Sequence, residues 1–241
     1  MGMPVILEVV DSRETGKIFD EVFDYFGYVD RKFSTYKHDS EISLINRNEL
    51  TLEESSDDMK TIFMLAEQTR LETDGSFDME RNGLYDPSGI VKGWAIYNAA
   101  EILRQARFEN YSIYAGGDIQ VSGKNEQGQD WRVGIQNPFD SAEIVKVLTV
   151  QNCGIATSGT YVRGQHIYNP KDPEKPIAEI VSLTVIGPNI YEADRFATAA
   201  FAMESAGINF IENLEGFEGY MIDQHGMATY TSGFERYVSN A

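Results

Sequence analysis

The periodicity of the apolar residues changes near residue 110, and this change constrains the fold more than any other feature of the sequence. Before that point, long segments carry apolar residues at helical spacing. After it, short β-branched segments at residues 111–121, 131–136, 144–150 and 155–158 are separated by Gly, Asn and Pro turns. Because strands so closely spaced are typical of hairpins, the sequence predicts an α+β fold with an antiparallel sheet.

The N-terminal part begins with a predicted strand over residues 1–10 and continues into a helix that Ser12 is expected to cap. One apolar stripe of this helix predicts its buried face: Ile18, Phe19, Val22, Phe23, Phe26 and Val29. Asp39 or Ser40 is expected to cap a short second helix, and Ser55 or Ser56 a longer third one.

The rest of the chain carries equally local signals. Helical spacing is present over residues 94–103, 191–203 and 208–214, and strands are predicted over residues 219–222 and 228–230. No linker, repeat or low-complexity run divides the sequence, so we expect one domain over residues 1–241.

Composition excludes some classes of function. The 241 residues carry a formal net charge of −18 that is spread along the chain, whereas duplex binding needs clustered Lys and Arg, so nucleic acid is a disfavoured partner. The single cysteine, Cys153, cannot form an internal disulfide, and no signal peptide or apolar span long enough to cross a membrane is present. We therefore expect a soluble cytoplasmic protein.

A loop at residues 85–89 leads directly into the helical segment that follows it. The free N–H groups of a helix start suit a phosphate or diphosphate, and Gly89 and Lys92 in this stretch would allow close approach and supply positive charge. A capped helix with a solvated lysine is the alternative that the spacing leaves open.

Asp194 and Thr198 are four residues apart on a predicted helix and therefore lie on one side of it. Their oxygens suit Mg²⁺ better than zinc, which usually takes Cys and His ligands. The alternative is an Asp that interacts with the helix dipole and a Thr that bonds back to its own helix.

Two further features also have two interpretations. Tyr36, in a polar loop, either stacks on a ligand ring or covers the neighbouring helix. The Gly116-Gly117-Asp118 sequence interrupts a strand, which indicates either a β-bulge or a close backbone approach to a ligand. The bulge is the simpler expectation.

The order and the residues of several segments resemble those of the ApbE-type flavin transferases, the FAD:protein FMN transferases, along nearly the whole chain. The matching segments are Met1-Gly2, residues 34–36 and 40–43 with Asn46, residues 73–78, 86–93, 116–118, 131–138 and 156–161, His166-Ile167 with Pro170, and residues 193–198. A single motif of this kind is weak, but this many in the family's order make the resemblance specific.

The resemblance implies a fold of two T-fold-like halves with antiparallel sheets and packed helices, together with FAD as substrate and a Mg²⁺ site. It also implies transfer of the FMN half of FAD to a Thr or Ser hydroxyl of a target flavoprotein, with release of AMP. Asp194 and Thr198 match the family's metal ligands, and Gly89 matches the residue whose carbonyl completes that site. Lys92 matches a cofactor contact and His166 a histidine proposed to assist the chemistry. The other positions that match FAD contacts are Met1, Tyr36, Ser76, Phe77, Asp78, Asp86 and Ile167.

Together, these observations predict a catalytic group formed by His166, Asp194 and Lys92, with His166 as the first candidate for the general base because its ordinary pKa lies near neutrality. Asp78 and Asp194 are rival candidates for the base. Two other functions stay open: a Mg²⁺-dependent hydrolase that splits FAD into FMN and AMP, and a flavin-binding or carrier protein without chemistry.

Overall fold

The computed structural model describes residues 3–13, 15–159 and 167–239. It contains six α-helices within these ranges: α1 (Gly16–Phe33), α2 (Glu41–Asn46), α3 (Asp57–Glu72), α4 (Ser88–Gln105), α5 (Ile190–Ala202) and α6 (Gly207–Glu212). The strands described are β1 (Val5–Val9), β2 (Glu80–Arg81), β3 (Leu84–Tyr85), β4 (Tyr111–Ala115), β5 (Asp118–Ser122), β6 (Trp131–Gln136), β7 (Ile144–Val150), β8 (Cys153–Gly159), β9 (Ile180–Gly187), β10 (Glu218–Asp223) and β11 (Ala228–Tyr230).

Seven strands form one antiparallel sheet in the order β1-β4-β5-β8-β9-β10-β11. The β2–β3 and β6–β7 pairs form two separate two-stranded sheets. The predicted α+β class with antiparallel sheets is therefore confirmed. None of the helices in the described ranges combines the length and the apolar character needed to span a membrane.

The main sheet separates two apolar cores, because successive strand residues point to opposite faces. Ala156, Val185 and Met221 face a core that they share with helices α1 to α5. Their neighbours, such as Ile155 and Ile186, face a second core that the β6–β7 hairpin covers. The helices and this hairpin thus enclose the sheet from both sides.

The predicted helix caps had mixed outcomes. The Ser40 hydroxyl accepts a hydrogen bond from Ser43 N, and the Ser56 hydroxyl accepts one from Met59 N, so two caps are confirmed. The Ser12 cap was wrong, since α1 begins only at Gly16. The Asp11 carboxylate instead binds the N–H groups that precede β4, which keeps this segment out of the helix. In the predicted stripe, Phe23 is also exposed rather than buried.

The bulge expected at Gly116-Gly117-Asp118 was wrong as well. Ala115 pairs directly with Asp118, so the two glycines form the tight turn of a hairpin, with φ angles of 58° and 99° that favour glycine. Strand β9 was not predicted, because it is buried on both faces and shows no alternation of apolar and polar residues.

Candidate active site

A cavity of about 760 Å³ opens where the first turns of α4 and the middle of α5 meet the β4–β5 turn, β6, β8 and the β2–β3 hairpin. Its buried end consists of Gly89, Lys92, Asp194 and Thr198, none of which is exposed. Its rim consists of Asp78, Arg81, Asp86, Ile167 and Tyr168, which are half-buried or exposed. All four residues predicted from the two helical motifs therefore lie at one end of one cavity.

The start of α4 is shaped by two local contacts. Asp86 accepts a hydrogen bond from Ser88 N at 3.0 Å, which turns the chain into the helix. Gly89 then lies so close to α5 that an added Cβ would be 3.2 Å from Thr198 Cγ2 and 3.1 Å from Phe77 Cε2. The absence of a side chain at this position lets the backbone approach Thr198.

A second close approach ties α4 to α5. Gly93 N donates a 2.7 Å hydrogen bond to Asp194 Oδ2, and a Cβ on Gly93 would lie only 2.5 Å from Asp194 Cβ and 2.8 Å from the Ile190 carbonyl oxygen. The Asp194 carboxylate thus points at another helix and not at its own helix start. This excludes the alternative in which it serves only the dipole of α5.

The Lys92 ammonium lies between two carboxylates. Its Nζ is 2.7 Å from Asp118 Oδ2 and 3.4 Å from Asp194 Oδ1, and only 13% of its side chain is exposed. The alternative of a solvated lysine was therefore wrong. Two carboxylates and one ammonium give this group a net charge near −1, which favours a further cation.

Asp118 is fully buried at the start of β5. Its Oδ1 accepts a hydrogen bond from Thr157 N at 3.2 Å, and its Oδ2 pairs with Lys92. Burial raises the pKa of Asp118 above its ordinary value and the nearby Asp194 charge adds to this rise, whereas the Lys92 ammonium at 2.7 Å opposes it and favours the charged carboxylate. The sequence places Asp118 after two glycines, but no local pattern predicts a role for its side chain.

The oxygens at the buried end fit a hard divalent cation. The Asp194 carboxylate, the Thr198 hydroxyl and the Gly89 carbonyl are the donor types that Mg²⁺ takes, and the narrow contact at Gly89 brings their backbones together. The described residues contain no group of three or more His, Cys, Asp or Glu suited to a metal. The three protein oxygens would fill half of an octahedral Mg²⁺ shell, which leaves positions for water or for oxygens of a ligand.

The other predicted residues have three different outcomes. Ser76, Phe77, Asp78, Asp86 and Ile167 all line the cavity. Met1 and His166 lie outside the described residues. Tyr36 is 98% exposed and does not belong to the cavity lining, so the structure does not bring it to the predicted ligand.

The rim contains a contact that sequence analysis missed. The Arg81 guanidinium lies 4.5 Å from the centre of the Tyr168 ring, and the Tyr168 hydroxyl donates to the carbonyl oxygens of Asp78 and Glu80. These contacts attach the β2–β3 hairpin to the segment that begins at Ile167. A stacked aromatic ring and a cation at a cavity mouth suit a planar or anionic ligand.

Known proteins resemble this chain in sequence and in fold. The model of the ApbE family matches residues 1–86 and 80–221. A Salmonella typhimurium protein named FAD:protein FMN transferase is 31% identical over 163 residues, which are 64% of this chain and 45% of that protein. The Escherichia coli K12 protein of the same name is 32% identical over 150 residues, with shares of 58% and 43%. The chain thus spans less than half the length of these two curated relatives.

Solved structures show the same fold. The flavin transferase ApbE from Vibrio cholerae superposes with a TM-score of 0.85 at 25% identity, covering 98% of this chain and 96% of the other. The apbe protein from Thermotoga maritima also gives a TM-score of 0.85, at 21% identity, with coverage of 99% and 97%. The resemblance of fold therefore extends over the described chain from β1 to β11.

Proposed function

Since this chain belongs to the ApbE family, we propose that it transfers the FMN moiety of FAD to a Thr or Ser hydroxyl of a target flavoprotein. The reaction requires Mg²⁺, forms a phosphoester and releases AMP. The observation that carries this proposal is the meeting of Gly89, Lys92, Asp194 and Thr198 at one end of a single cavity. The names of the relatives indicate FAD as the substrate, and these four residues are proposed to bind its diphosphate.

In this proposal, Asp194, Thr198 and the Gly89 carbonyl hold Mg²⁺. When bound, the ion neutralises charge on the diphosphate oxygens. Three of the first N–H groups of α4 are already engaged, since Ser88 N donates to Asp86, and Ile90 N and Val91 N donate to the Pro87 carbonyl oxygen. Lys92 adds its ammonium on the same side, and the N-terminus of α4 contributes its positive dipole end. These groups favour the extra negative charge that develops as the phosphorus is attacked.

The acceptor hydroxyl oxygen forms a bond to the phosphorus of the FMN half, and the bond from that phosphorus to the bridging oxygen breaks. AMP leaves with the bridging oxygen, and the hydroxyl proton passes to a base. His166 remains the first candidate, although it lies outside the described residues. Asp194 is a weaker candidate because Gly93 N and Lys92 already contact its oxygens. Asp78 is also a weaker candidate, since its carboxylate accepts a hydrogen bond from Glu80 N.

The ring systems of FAD are assigned to the parts of the cavity away from Lys92 and Asp194. Ser76, Phe77, Asp78, Asp86 and Ile167 line the cavity, and they are proposed to contact the cofactor. Met1 and Tyr36 remain proposed contacts on the basis of the family resemblance alone. The cytoplasmic location stays a prediction.

The test is an intact-mass measurement. The protein is incubated with FAD, with or without Mg²⁺, and with a candidate flavoprotein domain that carries an acceptor Thr. A Mg²⁺-dependent gain of one FMN unit is expected, and a target with Ala in place of that Thr should gain nothing. Free FMN and AMP without a mass gain would instead identify a hydrolase, and intact bound FAD a carrier protein.

A further inference from the structure

Asp118 has no role in the reaction as described so far, yet it is the most completely buried acid near the cavity. None of its surface is exposed, and it is absent from the residues that line the cavity. Asp118 therefore does not contact a ligand in the cavity directly, and a contact that carries its effect must involve another side chain. Lys92, which pairs with it and does line the cavity, is that side chain.

Asp118 is held rigidly by the backbone around it. It is the first residue of β5, immediately after the Gly116-Gly117 turn, and it pairs with Ala115 across the hairpin. The neighbouring strand β8 supplies Thr157 N, which donates to Oδ1 and leaves Oδ2 directed at Lys92. The carboxylate is thus a fixed point, whereas the lysine side chain has several rotatable bonds.

The two distances from Lys92 Nζ are unequal. The ammonium is 2.7 Å from Asp118 and 3.4 Å from Asp194, so the tighter pair is formed with the carboxylate that cannot reach the cavity. If the charge on Asp118 were removed, Asp194 would be the remaining acid beside Lys92. A lysine drawn closer to Asp194 would compete with a cation for its oxygens.

We propose that Asp118 is a positioning residue that holds the Lys92 ammonium away from Asp194. This arrangement leaves Asp194 available to a divalent cation and directs the ammonium towards a diphosphate. The inference rests on the proposed function for the identity of that ligand. The inference goes beyond the proposed function because it assigns a role to a residue that contacts neither FAD nor metal.

The substitution Asp118→Asn tests this role with little change in shape. Asn keeps the oxygen that accepts from Thr157 N but removes the charge that pairs with Lys92. We expect the Mg²⁺ concentration that half-saturates FAD binding to rise by about 10- to 100-fold, as when a partner of a metal ligand is lost. Flavin fluorescence titrated with MgCl₂ measures this value without any transfer reaction.

A double-mutant cycle separates positioning from a general structural effect. In a Lys92→Met background there is no ammonium to hold, so Asp118→Asn should change the half-saturating Mg²⁺ concentration by less than about twofold. Each single variant leaves one buried charge without its partner, which can destabilise the fold. The double variant removes both charges of the pair, so we expect it to fold even where a single variant does not. An equal effect of Asp118→Asn in both backgrounds would overturn the proposal.

The chain contains a matched control. Lys124 and Asp130 form an ion pair with the same 2.7 Å distance, but both side chains are well exposed and neither lines the cavity. Asp130→Asn should leave Mg²⁺ and FAD binding unchanged, and a similar loss in this variant would contradict the role of Asp118. If the wild-type protein binds FAD with Mg²⁺ but modifies no target, the proposed transfer fails while the cycle still tests Asp118.

Discussion

The buried end and the rim of the cavity are built in different ways. At the buried end, Lys92 and Asp194 project from α4 and α5, two long helices that pack on the main sheet, and both are held by fixed partners. At the rim, Arg81 and Tyr168 belong to a two-residue strand and to an irregular segment. They contact each other and backbone carbonyl oxygens of other short connections. Helices and the main sheet therefore fix the polar groups that are proposed to bind the diphosphate. The side chains that are proposed to lie near the FAD rings come from short connecting segments.

This difference has a physical basis. Groups that stabilise developing charge must keep their geometry through the reaction, because movement of these groups in the transition state would slow the reaction. Contacts to a ring system tolerate small shifts, since stacking and apolar contact are less directional than metal coordination or charged hydrogen bonds. Substitutions at the buried end should therefore change the rate strongly, and those at the rim should mainly change FAD affinity.

The largest effect is expected from Asp194→Ala. The change removes the only carboxylate in the proposed metal set and the acceptor for Gly93 N, while the pair between Lys92 and Asp118 remains. We expect Mg²⁺-dependent flavin transfer to fall by about 10³-fold or more, since charge neutralisation by a metal contributes several kcal/mol. Intact mass of the target over time measures the rate. Activity within tenfold of wild type would show that Asp194 is not needed as a Mg²⁺ ligand in the transfer reaction.

A second strong effect is expected from Gly93→Ala, which keeps every functional group. The added Cβ would overlap the Cβ of Asp194 and the Ile190 carbonyl oxygen, so α4 and α5 must separate. Overpacking of this kind costs about 3 kcal/mol of unfolding free energy, more than the gain of about 1 kcal/mol from alanine in a helix. Urea denaturation measures the loss.

Gly16→Ala is the control for that measurement, because nothing lies within 4 Å of a Cβ at the start of α1. Its unfolding free energy should stay within about 1 kcal/mol of wild type. If Gly93→Ala is equally harmless, the contact between α4 and α5 does not constrain the buried end as described.

The sequence was sufficient to predict the parts of the buried end that are local. Gly89 and Lys92 share one helical turn, and Asp194 and Thr198 are four residues apart, so each pair follows from helix geometry. That the two pairs meet depends on the packing of α4 against α5, which no local pattern contains. The resemblance to a family supplied this link.

Other features were missed for equally specific reasons. The burial of Asp118 depends on β8 lying beside β5, a pairing between distant segments, and the glycines before it are compatible with both a bulge and a hairpin turn. The contact of Arg81 with Tyr168 joins two segments without regular periodicity. Asp78, Asp86 and Ile167 at the rim were therefore predicted by motif and not by physical pattern, and Arg81 and Tyr168 were not predicted.

A smaller effect on the same end is expected from Gly89→Ala. Its Cβ would meet the edge of Phe77 and the methyl group of Thr198 at slightly more than 3 Å, a crowding that small side-chain movements can relieve. Stability should change by less than about 1 kcal/mol, because helix propensity offsets the strain. The displaced Thr198 should raise the half-saturating Mg²⁺ concentration about tenfold. An unchanged value would show that the narrow contact is not needed for the cation.

At the rim, Tyr168→Phe removes one hydroxyl and its bonds to the carbonyl oxygens of Asp78 and Glu80. The ring under Arg81 is retained, so the variant isolates the attachment of the β2–β3 hairpin. We expect a loss of about 1 kcal/mol in unfolding free energy and a few-fold rise in the KM for FAD, with kcat nearly unchanged. A fall in kcat as large as that expected for Asp194→Ala would break the distinction between rim and buried end.

The smallest structural effect is expected from Tyr36→Ala, because this side chain is 98% exposed and lies outside the cavity lining. Its melting temperature should match that of wild type, since exposed substitutions usually change stability by less than about 0.5 kcal/mol. The proposed stacking on a ring of FAD predicts a rise in the KM for FAD of about 2- to 10-fold, because aromatic stacking contributes about 0.5–1.5 kcal/mol. Tyr36→Phe should restore the wild-type KM if the ring is what matters. An unchanged KM in the Ala variant would remove Tyr36 from the site and confine the rim to the residues that line the cavity.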